Sequence, residues 1–174
     1  MEKTTATRHI ALIENCTMSA IGLMHLFAMP PLSDYKLHLF TRAVSLKAAS
    51  SHTSFCSAIY SLSDAREERR HCLSCMRELA LTHNGIQRIV LASDEMEAKL
   101  VSHLFPSRLH GIINKAVPLI ELLDELSALL SETRRVNDNM LNHWYVSHNR
   151  LLSPTERAIL RFMSFGYSIP DIAT

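Results

Sequence analysis

Residues 55–92 read "FCSAIYSLSDAREERRHCLSCMRELALTHNGIQRIVLA", and their order decides the fold. "FCSAIYSLS" (55–63) is rich in β-formers and reads as a central strand. "DAREERRHCLSCMRELALTHN" (64–84) changes period. Asp64 is placed to cap a helix whose buried stripe is Leu73, Met76 and Ala80, with Leu79 beside them. Asn84-Gly85 makes a turn, and "IQRIVLA" (86–92) is a second apolar strand. Two strands separated by a helix-length segment imply parallel pairing through a right-handed crossover.

The same rhythm extends both ways. Upstream, "RHIALIE" (8–14) is a buried strand. In "NCTMSAIGLMHLFAM" (15–29), Met18, Ile21, Met24 or His25, and Phe27 or Ala28 recur near helical spacing, and Pro30-Pro31 end the helix. "YKLHLFTR" (35–42) sets Tyr35, Leu37 and Leu39 against Lys36, His38 and Phe40, as a half-buried strand does. "AVSLKAASS" (43–51) is a short helix. Downstream, Asp94 and Glu97 have capping-box spacing, ahead of an inner face of Leu100, Val101, Leu104 and Phe105. Pro106 ends that helix. "GIINKAV" (111–117) is a fifth strand. Pro118 suits a first helical turn, and Leu119, Leu122, Leu123, Leu126, Leu129 and Leu130 recur at helical spacing. The fold class expected is therefore α/β: a flavodoxin-like five-stranded parallel sheet, helices on both faces, strand order 2-1-3-4-5 by analogy.

Composition narrows the function. Apolar residues make up 47% of the 174, enough for a core, and the net charge is +1 with histidines neutral. No broad field directs the chain to nucleic acid or membrane, although a local basic face is not excluded. Only 4 glycines occur, and neither G-x-G-x-x-G nor G-x-x-x-x-G-K-[ST] is present. A backbone phosphate cradle needs such glycines, so no nucleotide cofactor is expected. No apolar run approaches the roughly 18 residues of a membrane span. The four cysteines (Cys16, Cys56, Cys72, Cys75) show no disulfide framework, and a cytoplasmic, reduced setting is the default. His71-Cys72-x-x-Cys75 resembles half a zinc knuckle, but zinc takes four ligands and no second pair follows. Core packing is the reading for those thiols, and no metal is expected. Arg66-Glu67-Glu68-Arg69-Arg70 reads as a solvated helix face, with a partner-docking patch as the sharper alternative.

Beyond residue 131 the period fades. Residues 132–152, with Trp144 and Tyr145, read as a linker, leaving a first domain at 1–131. Ser153-Pro154-Thr155-Glu156 is a capping box with proline at the first helical position, followed by an inner face of Ile159, Leu160, Phe162 and Met163. Gly166 stops that helix, and Ser168 and Asp171 repeat the S-x-x-[DE] spacing of a new start. This is the first half of a helix-turn-helix, at 153–174.

The stretch "LSPTERAILRFMSFGYSIPDIA" (152–173) resembles the opening of the LuxR-type DNA-binding domain over about twenty consecutive positions. The preceding α/β part resembles the receiver domain of NarL/FixJ-class response regulators. The resemblance implies a transcription regulator, not an enzyme. Its site positions follow residue by residue. The acidic pair after the first strand falls on Glu14 and Asn15, and the phospho-acceptor on Ser61. The switch hydroxyl falls on Ala92 and the lysine on Lys115, which alone matches. Serine is a poor acceptor without an activating base. Asn15 removes one charge from a magnesium site, and hard divalent ions need carboxylate oxygens. A shifted register would offer Asp64 or Ser93 instead. Lys115 either is solvated at the sheet edge or pairs with Glu14. The expectation is a degenerate, phosphorylation-independent receiver.

In this family the base-reading helix follows the one beginning at Ser168, so the resemblance implies a DNA-binding domain left incomplete at Thr174. Ser168 is an expected N-cap and weak phosphate contact, which orients without specifying sequence. Two readings follow: a DNA-binding regulator that dimerises with a homologous response regulator, or an interaction module that modulates such a partner without reading DNA itself. The resemblance places the dimer contact on the first helix with the last strand and helix.

Overall fold

The computed structural model describes residues 7–104 and 109–131, together with the helical positions Ile159 and Met163. The expected linker at 132–152 lies outside the described residues. So does the rest of the expected helix-turn-helix segment, Ser168 included. Ile159 and Met163 are 39% and 41% exposed.

Among the described residues ten elements alternate: β1 (Arg8–Ile13), α1 (Thr17–Phe27), β2 (Tyr35–Phe40), α2 (Ala43–Ala49), β3 (Phe55–Ser61), α3 (Arg66–Thr82), β4 (Gln87–Ala92), α4 (Glu95–Leu104), β5 (Gly111–Asn114) and α5 (Leu119–Leu130). A short 3-10 turn, Leu32–Asp34, precedes β2. The sheet order is β2-β1-β3-β4-β5, every pair parallel. This is the expected doubly wound arrangement, and its strand order reverses beside β1.

Alternation along the strands divides the core into two layers. Ala11, Ile13, Ala58, Tyr60 and Val90 face α2, α3 and Val101 of α4. Ile10, Leu12, Ile59, Ile89, Leu91 and Ile113 face α1 and α5. Central strands buried on both sides read as continuous apolar runs, which is why β1, β3 and β4 were legible. Gly111 lets α5 approach β5, since a Cβ there would lie 2.5 Å from Leu129 Cδ1. His110 extends the β4–β5 ladder with its side chain: Arg88 N–H donates to His110 Nδ1 at 2.9 Å, and His110 N–H donates to the Arg88 carbonyl at 2.8 Å.

Two local expectations are corrected. Asp64 does not cap α3: the N-cap is Ala65, without a side-chain bond. Ser63 takes over nearby, its Oγ accepting from Ala65 N–H at 3.1 Å and donating to Glu68 at 2.9 Å. In α1 the buried residues are Ala20, Leu23, Leu26 and Phe27, whereas Met18, Ile21 and Met24 point outward. The helix is apolar nearly all round, so spacing alone could not choose a face. The capping box of α4 is present, with Glu97 N–H donating to Asp94 at 2.8 Å. Val101 is buried on its inner face with Leu100 half-buried. The Leu104 side chain and Phe105 lie outside the described residues.

Candidate functional site

The expected site residues converge at the carboxyl ends of the strands, where open α/β sheets place their ligand crevices. Glu14 follows β1, and its N–H donates to the Phe40 carbonyl at 2.9 Å, which fixes it beside β2. The side chain is 2% exposed. Oε1 accepts from Cys16 N–H at 2.8 Å. Oε2 accepts from Ser19 Oγ at 2.7 Å and, in a close contact, from Ser61 Oγ. A buried carboxylate is tolerated only when so satisfied. Here both oxygens are taken by groups of the chain itself.

Ser61 closes β3 and is 5% exposed. Its hydroxyl donates to Glu14, which fixes the end of β3 to the β1–α1 loop. Ala92, at the end of β4, is fully buried and supplies only a carbonyl, which accepts from Lys115 N–H at 2.9 Å. Lys115 follows β5. Its Nζ donates to the Leu62 carbonyl at 2.6 Å, a main-chain anchor that neither expectation named, and the residue is half-buried.

Asn15 turns outward. Its Nδ2 donates to Glu68 of α3 in a close contact and reaches Ser63 Oγ at 3.4 Å. The displaced candidates pair with each other: Ser93 Oγ lies 3.4 Å from Asp64 Oδ1. Arg69 reaches Glu97 at 3.4 Å, joining α3 to α4. The charged run of α3 is therefore mostly exposed, but Glu68 and Arg69 tie it to neighbours. Sequence reasoning missed Ser19, Ser63 and Glu68. Ser19 sits five residues from Glu14, across a loop-to-helix boundary where no periodic signal operates.

A cleft of about 740 Å³ opens beside this rim, lined among others by Asn15, Arg42, Ser61, Glu67, Arg70 and His71. Its walls carry both signs of charge. Cys72 and Cys75 belong to the core layer under α3. Burial, then neighbouring Cys75 and Glu14, push the Cys72 thiol up to about 12, and burial followed by Glu78 raises that of Cys75. Such thiols are not nucleophiles at neutral pH. Among the described residues no three His, Cys, Asp or Glu side chains converge as metal ligands, and no helix is long and apolar enough to cross a membrane.

A second feature lies on the α1/α5 side of the sheet. Met18 (80% exposed), Ile21 and Met24 of α1 face outward, as do Leu119 and Ile120 (74% exposed) at the start of α5. Both helices pack on the same sheet face. The layer thus carries three exposed apolar side chains on α1 and two at the start of α5.

No protein-family model matches the chain. It is 46% identical over 166 residues to the transcriptional activator protein BglJ of Escherichia coli K12, covering 95% of this chain and 74% of that protein. Among solved structures, RcsB from Salmonella enterica serovar Typhimurium bound to promoter P1flhDC superposes with a TM-score of 0.66 at 16% identity, over 97% of this chain and 82% of that one. A CheY-like receiver domain protein from Methanospirillum hungatei superposes with a TM-score of 0.54 at 12% identity, over 82% of this chain and all of that one. The structural likenesses carry the receiver fold. The sequence likeness carries the family: the chain belongs to the LuxR-type transcription regulators with a receiver-like domain, together with the activator BglJ.

Proposed function

We propose that this regulator works without phosphorylation, by pairing its receiver-like domain with that of a homologous response regulator of the RcsB type, and that the pair acts on DNA. The chain contributes no catalysis and needs no cofactor in this reading. Glu14, Asn15, Ser61, Ala92 and Lys115 are the remnants of a phosphorylation site that no longer operates. Ser61 offers a hydroxyl where the family pattern has a carboxylate acceptor, and Asn15 and Ala92 leave neither a second metal carboxylate nor a switch hydroxyl.

The observation that carries the pairing is the exposure of Met18, Ile21, Met24, Leu119 and Ile120 on two helices of one layer, here taken together as an apolar patch. A dimer of similar domains buries such a patch at low polar cost, because its centre is apolar and carries few charges to desolvate. The test is sedimentation velocity of this protein mixed with full-length RcsB, with and without a small phosphodonor and Mg²⁺. The expected result is a mixed dimer formed equally in both conditions, weakened at least about tenfold by Met18→Asp or Ile120→Asp, the scale expected of a central contact. A complex that forms only with phosphodonor, with a phosphoryl adduct on this chain, overturns the proposal. So does an affinity untouched by both substitutions.

A further inference from the structure

The rim of the sheet is laced together by direct bonds. Glu14 joins the β1–α1 loop to the end of β3 through Ser61, and to the first turn of α1 through Ser19. Asn15 joins that loop to α3 through Glu68. Lys115 joins the β5–α5 loop to the β3–α3 loop through the Leu62 carbonyl, at 2.6 Å. That last bond is charge-assisted and partly buried, the stronger class of hydrogen bond.

Two of these struts end beside the apolar patch. Ser19 adjoins Met18 in the first turn of α1. Lys115 stands four positions before Leu119, and Pro118, the N-cap of α5, lies between them with a fixed φ. A displacement at either anchor is therefore passed to the side chains of the patch through about one turn of chain.

Resting on the pairing proposed above, we infer that the Glu14 hub and the Lys115 strut are a permanent latch. They hold the starts of α1 and α5, and with them the side chains that dock, in one arrangement. Lys115 is a positioning residue: its ammonium acts through the Leu62 carbonyl and the β5–α5 loop, not by touching the partner. Because the latch is built from groups always present, the docking surface has one dominant arrangement. A binding-competent fraction near unity leaves the affinity undiminished, whereas loosening lowers it in proportion to the fraction lost.

The experiment uses amide hydrogen exchange on the full chain, alone, for wild type, Lys115→Met, Lys115→Arg and Ser19→Ala. Methionine keeps an unbranched apolar stem but donates no hydrogen bond; arginine keeps the charge and can still reach a carbonyl. The inference requires faster exchange along residues 115–121 in Lys115→Met and along 16–21 in Ser19→Ala. Near wild-type exchange is required in Lys115→Arg, and the central strands must stay protected throughout. A Lys115→Met protein as protected as wild type along 115–121 overturns it, and so does loosening spread evenly over the sheet. If Lys115→Met does not fold, Ser19→Ala decides by the same criterion along 16–21. Affinity for full-length RcsB is the second arm, with a loss of about tenfold expected for Lys115→Met and little for Lys115→Arg. Should wild type fail to bind RcsB, the pairing reading falls, while exchange in the free protein still accepts or rejects the latch.

Discussion

Replacing Ser61 with aspartate restores the residue type that a receiver carries at the end of its third strand, and here it should do harm. The wild-type hydroxyl donates to Glu14 where the two residues are 5% and 2% exposed. Aspartate sets a second carboxylate against the first, and like charges so close in a buried site do not both ionise freely. One way out is for the pair to take up a proton, so that the new carboxyl donates to Glu14 as the serine hydroxyl does. At pH 7, protonating a group with an unfolded pKa of about 3.9 costs up to about 4 kcal/mol. The other way is for both to stay charged while the rim opens to water, which forfeits a bond to a charged acceptor worth about 1.5–3 kcal/mol. Either way the variant loses about 1.5–4 kcal/mol at pH 7. The loss has a signature. A carboxyl whose folded pKa is raised binds its proton more readily folded than unfolded, so its deficit shrinks as pH falls, by up to about 1.4 kcal/mol per unit between pH 7 and 5. Urea denaturation of Ser61→Asp and wild type at both values measures this, and Ser61→Ala is the control, since it lacks the added charge. Equal midpoints at pH 7 would refute the closed-hub reasoning; a deficit that shrinks at pH 5 marks the protonated pair, and one that stays the same marks the opened rim.

Acid should weaken the wild type through its histidines. Burial, then Arg88, holds His110 below the usual 6.5, and burial, then His9 and Lys36, does so for His38. Groups with depressed folded pKa leave stability intact above about 6.5 and withdraw it as pH falls through the folded values. Urea midpoints should therefore drop between pH 7 and 5.5, and less so in His110→Gln, because protonation of Nδ1 would otherwise expel the Arg88 N–H from its acceptor. Leu126→Ala, at a fully buried position of α5, should cost about 2–5 kcal/mol, read by the same titration. Iodoacetamide at pH 8 should label exposed Cys16 well before buried Cys72, as peptide mass mapping would show.

The strands were legible because their burial leaves a compositional trace. β1, β3 and β4 are apolar runs of about strand length between helix-length segments, and parallel pairing follows from that spacing. The leucines of α5 gave most of their face away for a related reason: Leu122, Leu123, Leu126 and Leu130 share one side and Glu121 and Asp124 break the other, while Leu119, expected with them, is exposed. In α1 the trace failed. Met18, Ile21 and Met24 recur as regularly as Ala20, Leu23, Leu26 and Phe27, so periodicity held two answers. The outward answer became visible only when the sheet took the second set. At the rim, the residue types at Glu14, Ser61 and Lys115 could be placed by position in the family pattern, yet their partners could not. Ser19, Ser63, Glu68 and the Leu62 carbonyl are contacts between loops, and loop contacts have no period.

The substitutions at the rim are consistent with one another electrostatically. A receiver that binds a divalent ion gathers several carboxylates at one point, a like-charge cluster whose repulsion the metal relieves. With Asn15 and Ser61 in place of acids, Glu14 is the one buried carboxylate among the described residues of the rim. Two hydroxyls and a backbone N–H satisfy it without an external ion. Lys115 is held by a carbonyl that belongs to the frame of the fold. Reverting one position alone therefore does not bring the chemistry back, because it reintroduces charge into a network balanced for its absence. On the phosphorylation-independent reading proposed above, recovery would need the acids, the switch hydroxyl and a freed Lys115 together, since Glu14 and Lys115 now hold contacts within the chain.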